Sequence, residues 1–535
     1  MTARYRRALL PALLTAAALG LSACASGTGP APADAGTPQP GGTLRFAVSS
    51  DQGCLDPQQV ASTDTIYTVR QLVDSLTDQD AKTGALLPWL ATSWTSSPDA
   101  KSYTFTLRSG VTFSDGTPLD ANAVKANFDR IPQLGLRAAL PKGYLAGYES
   151  TTVKSPTEFT VSFKAPNVQF LQGTSTHSLG ILSPATVAKT DDERCAAPVG
   201  SGPFTLKSYV KNSTITLAKR TGYQWSSPQA NHQGDAYLDT VEFRVVPESG
   251  VRTGSLQSGE VDVIGTIGQQ DEAPLTGAGI QLLARPNPGL SLGFSLNLSK
   301  PLLTDPAVRQ ALSLAINRQE VTTAIYPSQT KAATSVLTST TPSYADESAK
   351  LNFDSAAAGK LLDSAGWVPG PDGIRTKDGQ RLQIPVAYVA NFSTNKPALE
   401  LVQQQAKVAG IDVQLQEVPI TQVAAQLQSG DFVANWANLT RADPDLLRST
   451  FSTAGANTYH LPQGPLEPLL QAQAAEPDPA KRTAIVKQAQ DILVGEYYFV
   501  PVIEVTTVLG AAKNVHGLVF DASSRVYLLG AWKSQ

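Results

Sequence analysis

Residues 90–124 read LATSWTSSPDAKSYTFTLRSGVTFSDGTPLDANAV. Tyr103, Phe105 and Leu107 alternate with Thr104 and Thr106, the period of a strand with one buried face. Arg108-Ser109-Gly110 then turns the chain, Val111 and Phe113 resume the alternation, and Asp115-Gly116 is a second turn signal. Asp120 is placed to cap a helix whose apolar face is Val124, Phe128 and Ile131. Short strands thus run straight into an amphipathic helix.

Upstream, Leu44, Phe46 and Val48 alternate with Thr43, Arg45 and Ala47, which predicts a strand. Ile66, Val69, Val73 and Leu76 predict a helix over 62–77. Residues 25–41 are rich in Pro, Gly and Ala and read as a flexible tether. Before them, Arg4, Arg6 and Arg7 precede an apolar run from Ala8 to Leu21. That run is shorter than the roughly 20 residues that span a bilayer and fits a signal peptide over 1–23. It closes on Leu21-Ser22-Ala23-Cys24, which resembles a bacterial lipobox. The resemblance implies that Cys24 is lipidated and that the chain works outside the cell membrane, anchored to its extracellular face.

Downstream, alternation returns over 151–163, and Gly200-Ser201-Gly202-Pro203 precedes a strand from Phe204 to Tyr209. Further strands are expected at Ile215–Leu217 and Val241–Val245, a short helix and turn over Leu256–Asp262, and a buried strand over Val261–Ile264. Asp305-Pro306 is a helix start, with Asp as cap and Pro in the first turn. A helix at about Ala356–Ala365 is followed by strand Ile384–Val389, helix Pro397–Ala409 and strand Val413–Glu417. Helix Lys481–Gly495 precedes one late strand, Tyr498–Val508. This order, with no repeat period, indicates an α/β chain of several lobes.

The chain has 535 residues, too many for a single core. Lys and Arg number 42 against 45 Asp and Glu, and three of those cations lie in the leader. With no basic surplus, nucleic acid is excluded as an expected partner. Cys54 and Cys195 remain once Cys24 is assigned to lipid. In an exported protein an even pair reads as a disulfide, two buried thiols being the alternative. No HExxH, P-loop, GxSxG or CxxC pattern occurs, and His177, His232, His460 and His516 are widely separated. No enzyme activity, metal site or cofactor is expected.

Residues 90–124 resemble the signature stretch of the family 5 extracellular solute-binding proteins, the oligopeptide, dipeptide and nickel receptors of ABC importers. The resemblance continues through PVGSGPF (198–204), LDTVEFRVVPESGVRTGSLQSGEVDV (238–263), FSLNLSKPLLTDPAVRQALSLAINR (294–318), LLDSAGW (361–367) and ADPDLL (442–447). It implies a two-lobed, periplasmic-binding-protein-like α/β fold of the class II, cluster C type. The first lobe would take 42–285 and 501–535, with a subdomain inserted at about 66–194; the second would take 286–500. It also implies a monomer that captures a peptide or peptide-like small molecule between the lobes and hands it to a permease driven by ATPase subunits. A receptor that senses peptides without importing them would look the same in sequence.

In peptide-binding relatives a Trp lines the pocket and an Asp shortly after it holds the ligand's ammonium. Trp436 matches the aromatic, with Asn438 beside it. The Asp has no match, since its slot falls on Leu439 or Thr440, and Arg441 stands next to that slot. An Arg facing a dry cleft favours a carboxylate or another anion, which opens a second expectation of an anionic or metal-chelate ligand. Asn297, on a strand the family places near the cleft, is a further candidate, as are Ser50 and Gln52. Asp443, before Pro444, reads as a helix cap.

Overall fold

The computed structural model describes residues 36–389, 394–455 and 457–534. Cys24, the leader and most of the tether lie outside them. Among the described residues no helix is long and apolar enough to cross a membrane.

Two mixed sheets define two lobes. The first has seven strands, in the order Gln281–Pro286, Thr506–Ala511, Val263–Ile264, Thr43–Val48, Thr240–Val245, Thr214–Lys219 and Phe204–Val210. Thr43–Val48 runs parallel to both Val263–Ile264 and Thr240–Val245. Phe46 points into the core, stacked on Phe243 at 5.4 Å and on Tyr67 at 5.5 Å between ring centroids. The second sheet has six strands: Lys331–Ala332, Phe499–Glu504, Gly289–Leu296, Ala434–Thr440, Gln383–Tyr388 and Asp412–Glu417. Its core gathers Phe294, Val386, Leu399 and Val413, all fully buried. The segment read first forms part of a separate four-stranded sheet, Ala91–Ser96, Ser102–Leu107, Glu158–Phe163 and Tyr148–Ser155, which lies in chain order between strands of the first lobe. Asp120 caps the helix Ala121–Arg130, accepting from Ala123 N at 2.9 Å.

Three expectations are corrected. The helix expected over 62–77 is Thr63–Val69 only. The chain beyond it is drawn onto the Gly200–Gly202 loop, where Gly202 N donates to Leu72 O at 3.0 Å and Phe204 N to Gln71 O at 3.2 Å. A Cβ on Gly200 would lie 2.0 Å from Leu72 O, so only glycine permits that approach. The helix expected over Leu256–Asp262 lies earlier, at Ser249–Gln257. The single late strand is two, Phe499–Glu504 in the second sheet and Thr506–Ala511 in the first.

That split is a crossing between lobes. Val505 passes from one sheet to the other beside a second crossing at Asn287, whose N–H donates to Val505 O at 2.8 Å. Thr507 adds a hydrogen bond to Asn287 Oδ1 at 2.7 Å. Two short, mutually bonded segments therefore connect the sheets. Such element-terminal residues absorb the dihedral changes of hinge closure.

Candidate ligand-binding site

Strand Ala434–Thr440 lies between Gly289–Leu296 and Gln383–Tyr388, in the interior of the second-lobe sheet. Trp436 is 3% exposed. Its ring meets Phe294 edge-on at 4.9 Å, and its indole N–H donates to Asn395 Oδ1 at 3.2 Å. It is part of the second-lobe core. Asn297 is fully buried, its amide donating to Phe432 O at 2.9 Å and Gly430 O at 3.2 Å while its oxygen accepts from Ser299. Both residues are committed inside the second lobe. Asn438 is half-buried, and its side chain makes no hydrogen bond among the described residues.

Arg441 follows directly on the strand. Its N–H donates to Pro288 O at 3.0 Å. Gly289, at φ +123°, permits this: a Cβ there would lie 2.1 Å from Leu439 O. The guanidinium leaves the second lobe and lies on the Tyr144 ring, 4.7 Å from its centroid. Nη1 donates to Gln169 Oε1 and to Ser449 Oγ, each at 3.3 Å, and Nε has no partner. Gly143 makes room, since a Cβ there would come within 2.5 Å of Nη2. Tyr144 is buried, which pushes its phenol up to about 12 even with Arg441 beside it.

Arg441 is 4% exposed and forms no ion pair among the described residues. Its neighbours do. Asp443 holds Arg482 through two contacts of 2.6 and 2.9 Å, and Asp445 holds Arg448 through two of 2.7 Å. Asp443 Oδ1 also accepts from Asp445 N at 2.8 Å, a capping contact across Pro444 at the start of the turn that leads into Leu446–Phe451. Asp445 takes the cap position of Leu446–Phe451, with no side-chain capping bond. Buried Arg318 also lacks a carboxylate, but it is saturated by carbonyls of Pro501, Ser313, Ile316 and Leu351. Arg441 has two long bonds to neutral oxygens. A desolvated charge with so little compensation is costly unless something else supplies it.

The first-lobe wall carries further underused polar atoms. His177 Nε2, Gln172 Oε1, Arg70 Nε and Arg285 Nε are buried without hydrogen-bond partners. Burial, with Arg525 and Arg70 nearby, holds the His177 imidazole well below its ordinary range. Buried orphans are rare enough that a cluster calls for an explanation. Val168 N donates to Ala474 O at 3.1 Å, a second direct link between this wall and the second lobe. Ser50 donates to Asp64, and Gln52 is bonded to Gln59, Ala61 and Ser62. Tyr144, Gln169 and Gln172 were not singled out in the sequence, and His177 was named only as one of four separated histidines, because nothing local ties them to residue 441.

Cys54 and Cys195 are disulfide-bonded, with Cα atoms 4.2 Å apart. Beside them Arg194 and Asp56 form a fully buried ion pair at 2.8 Å. This corner is a structural staple. No described group of three or more His, Cys, Asp or Glu could hold a metal.

The model of the bacterial extracellular solute-binding proteins, family 5 Middle, matches residues 85–459. Glutathione-binding protein GsiB of Salmonella paratyphi A is 28% identical over 493 residues, covering 88% of this chain and 90% of that protein. NikA from Brucella suis, solved with Fe(III)-EDTA, superposes with a TM-score of 0.81 at 25% identity, covering 92% of this chain and all of that one. DppA from Helicobacter pylori, solved with the peptide STSA, gives a TM-score of 0.76 at 23% identity over 93% of this chain and 99% of that one.

Proposed function

Since the chain belongs to the family 5 bacterial extracellular solute-binding proteins, we propose that it captures a peptide-like solute between its lobes by a carboxylate, with Arg441 as the grip. The protein is a solute-binding component of an ABC importer, binding its ligand without transforming it. One observation carries the choice of an anion: a buried guanidinium reaching from one lobe onto the other with no carboxylate of its own among the described residues. A ligand carboxylate would complete Arg441 and favour the closed arrangement over an open one. We assign the lobes as 42–286 with 506–534, and 288–504, the boundary expected at 501 moving to the crossing at Val505 because Phe499–Glu504 pairs in the second sheet. Lipidation of Cys24 would hold the receptor, as a monomer, at the membrane beside its permease. An anionic metal chelate would use the same grip, and the Fe(III)-EDTA bound by NikA lends that second reading support.

Mass spectrometry of solute co-purifying with the chain, followed by titration with that solute and its amidated form, tests the reading. A hydrogen-bonded charge contributes about 1.5–3 kcal/mol, so amidation and Arg441→Ala should each cost tenfold or more in affinity. Equal affinity of acid and amide would exclude the grip.

A further inference from the structure

Glu272 lies on the first-lobe helix Gln269–Gly277, which leads through strand Gln281–Pro286 to the crossing at Asn287. Among the described residues, none of its carboxylate's hydrogen bonds stays within that lobe. Oε2 accepts from Ser328 N at 2.8 Å, and Oε1 accepts from Ser328 Oγ and from Gln329 Nε2, the latter at 3.2 Å. Ser328 and Gln329 belong to the second lobe, in the turn between helix Arg318–Ile325 and strand Lys331–Ala332. Burial pushes the Glu272 carboxyl up, but the bonds from Ser328 and Gln329 outweigh it and hold the group below the ordinary carboxylate range. The ionised form makes the contact, and hydrogen bonds to a charge are roughly twice as strong as neutral ones.

The place of this contact gives it leverage. The crossings at Asn287 and Val505 are bonded to each other at 2.8 Å, so they form a narrow pivot about which the lobes can turn. Lys331 pairs with Glu504, the residue before Val505, and the Ser328–Gln329 turn stands just ahead of Lys331. Glu272 therefore ties the lobes beside the pivot but outside both crossing segments, where a third attachment restricts rotation.

The same arrangement of the lobes lays Arg441 on Tyr144 and brings Val168 N to Ala474 O. These contacts and that of Glu272 are made together, so a bond that favours one favours the others. Two buried atoms work against them. Arg441 Nε and Gln329 Oε1 have no hydrogen-bond partner, and opening would return them to water. Of the contacts that oppose opening, that of Glu272 alone joins a charge to three donors.

We propose that Glu272 is a positioning residue, a latch that binds the Ser328–Gln329 turn and biases the ligand-free lobes toward the closed arrangement before any solute arrives. The latch selects no solute. It raises the affinity for each one by the same factor, because apparent affinity scales with the fraction of the chain already in the binding-competent form. It goes beyond the anion grip and stands whatever Arg441 binds.

The test needs no solute. Leu136 in the first lobe and Val408 in the second are 80% and 78% exposed. Spin labels on Leu136→Cys and Val408→Cys report the distance between lobes by double electron–electron resonance, in a chain freed of solute and carrying Cys24→Ser. Glu272→Ala should lower the closed-to-open ratio by about fivefold or more, the low end for coupling between sites. Ser328→Ala keeps its backbone donor and should lower the ratio by less; added to Glu272→Ala it should change nothing further. Glu272 is only partly buried, and alanine is the stronger helix former, so the variant should fold with its unfolding midpoint unchanged. A closed-to-open ratio unchanged or raised by Glu272→Ala, a parent chain found wholly open, or independent, additive effects of the two substitutions would each overturn the latch. The grip of Arg441 fails or stands separately, on the comparison of acid and amide.

Discussion

Arg441 of the second lobe and Tyr144 of the first are in cation–π contact, 4.7 Å from guanidinium carbon to ring centroid, with the cation buried and unpaired by any carboxylate among the described residues. Stability and binding therefore pull in opposite directions at this residue. Replacing a poorly compensated buried charge by an apolar side chain of similar volume is often neutral or stabilising by about 1–4 kcal/mol. Arg441→Met is expected to leave the unliganded unfolding midpoint unchanged or raised, while affinity for an acidic solute falls at least tenfold. Urea denaturation with and without solute measures both. A variant that is destabilised without ligand would mean the cation is already satisfied.

Gly143 offers a control at the same contact. A Cβ there would come within 2.5 Å of Arg441 Nη2. Gly143→Ala should push the guanidinium off Tyr144 and weaken binding severalfold, with a smaller effect on the melting temperature than on affinity. If binding is unchanged, the contact plays no part in holding the solute.

Trp436 is expected to behave as core. It is buried against Phe294, and its indole N–H is satisfied inside its own lobe. Trp436→Ala should cost about 3–5 kcal/mol of stability, in the range for large-to-small core changes. Chemical denaturation reads this directly. An unchanged unfolding free energy together with lost affinity would return Trp436 to the ligand.

The same contrast explains what could be read from the sequence. Tyr103, Phe105 and Leu107 declared their strand because one face is buried and the other is not. Residues 498–508 looked like one strand because Phe499–Glu504 and the strand after it are almost wholly buried, so no periodic cue marks the crossing at Val505. Asp443 carried a local capping signal, and its carboxylate does accept from Asp445 N, but nothing local announced that Arg482, 39 residues on, would bind the same carboxylate. Arg441 was noticed because it stands beside a slot where the family resemblance calls for an acid. Its partner Gln169 is 272 residues away, and no spacing rule reaches that far.

The Asp443–Arg482 pair gives a further expectation. Asp443→Ala would leave Arg482, now bidentate and nearly buried, without its counter-charge. Breaking one side of a buried pair costs about 3–5 kcal/mol, whereas removing both sides costs far less. The double variant Asp443→Ala with Arg482→Met should therefore recover most of the loss. A double-mutant cycle by urea denaturation checks it, and additive losses would show that the two residues act independently.

The pH dependence of stability should carry the signature of His177. Burial and the neighbouring Arg525 and Arg70 lower its pKa well below the ordinary value of 6.5. The neutral ring is therefore the native form. Above pH 6.5 the unfolded histidine is neutral too, and no proton is exchanged on folding. Below it the unfolded chain binds a proton that the folded chain refuses, so stability present above pH 6.5 is lost as the pH falls. One such proton changes the unfolding free energy by about 1.4 kcal/mol per pH unit. Carboxylates add their own slope at lower pH, so the measurement is a difference. His177→Gln and the parent chain are denatured in urea from pH 8 to pH 5. The two curves should run parallel above pH 7 and converge below 6.5 as the parent loses the extra stability. Curves that stay parallel throughout would mean that His177 binds its proton alike in the folded and unfolded chain, so that neither burial nor the two arginines facing it depress its pKa.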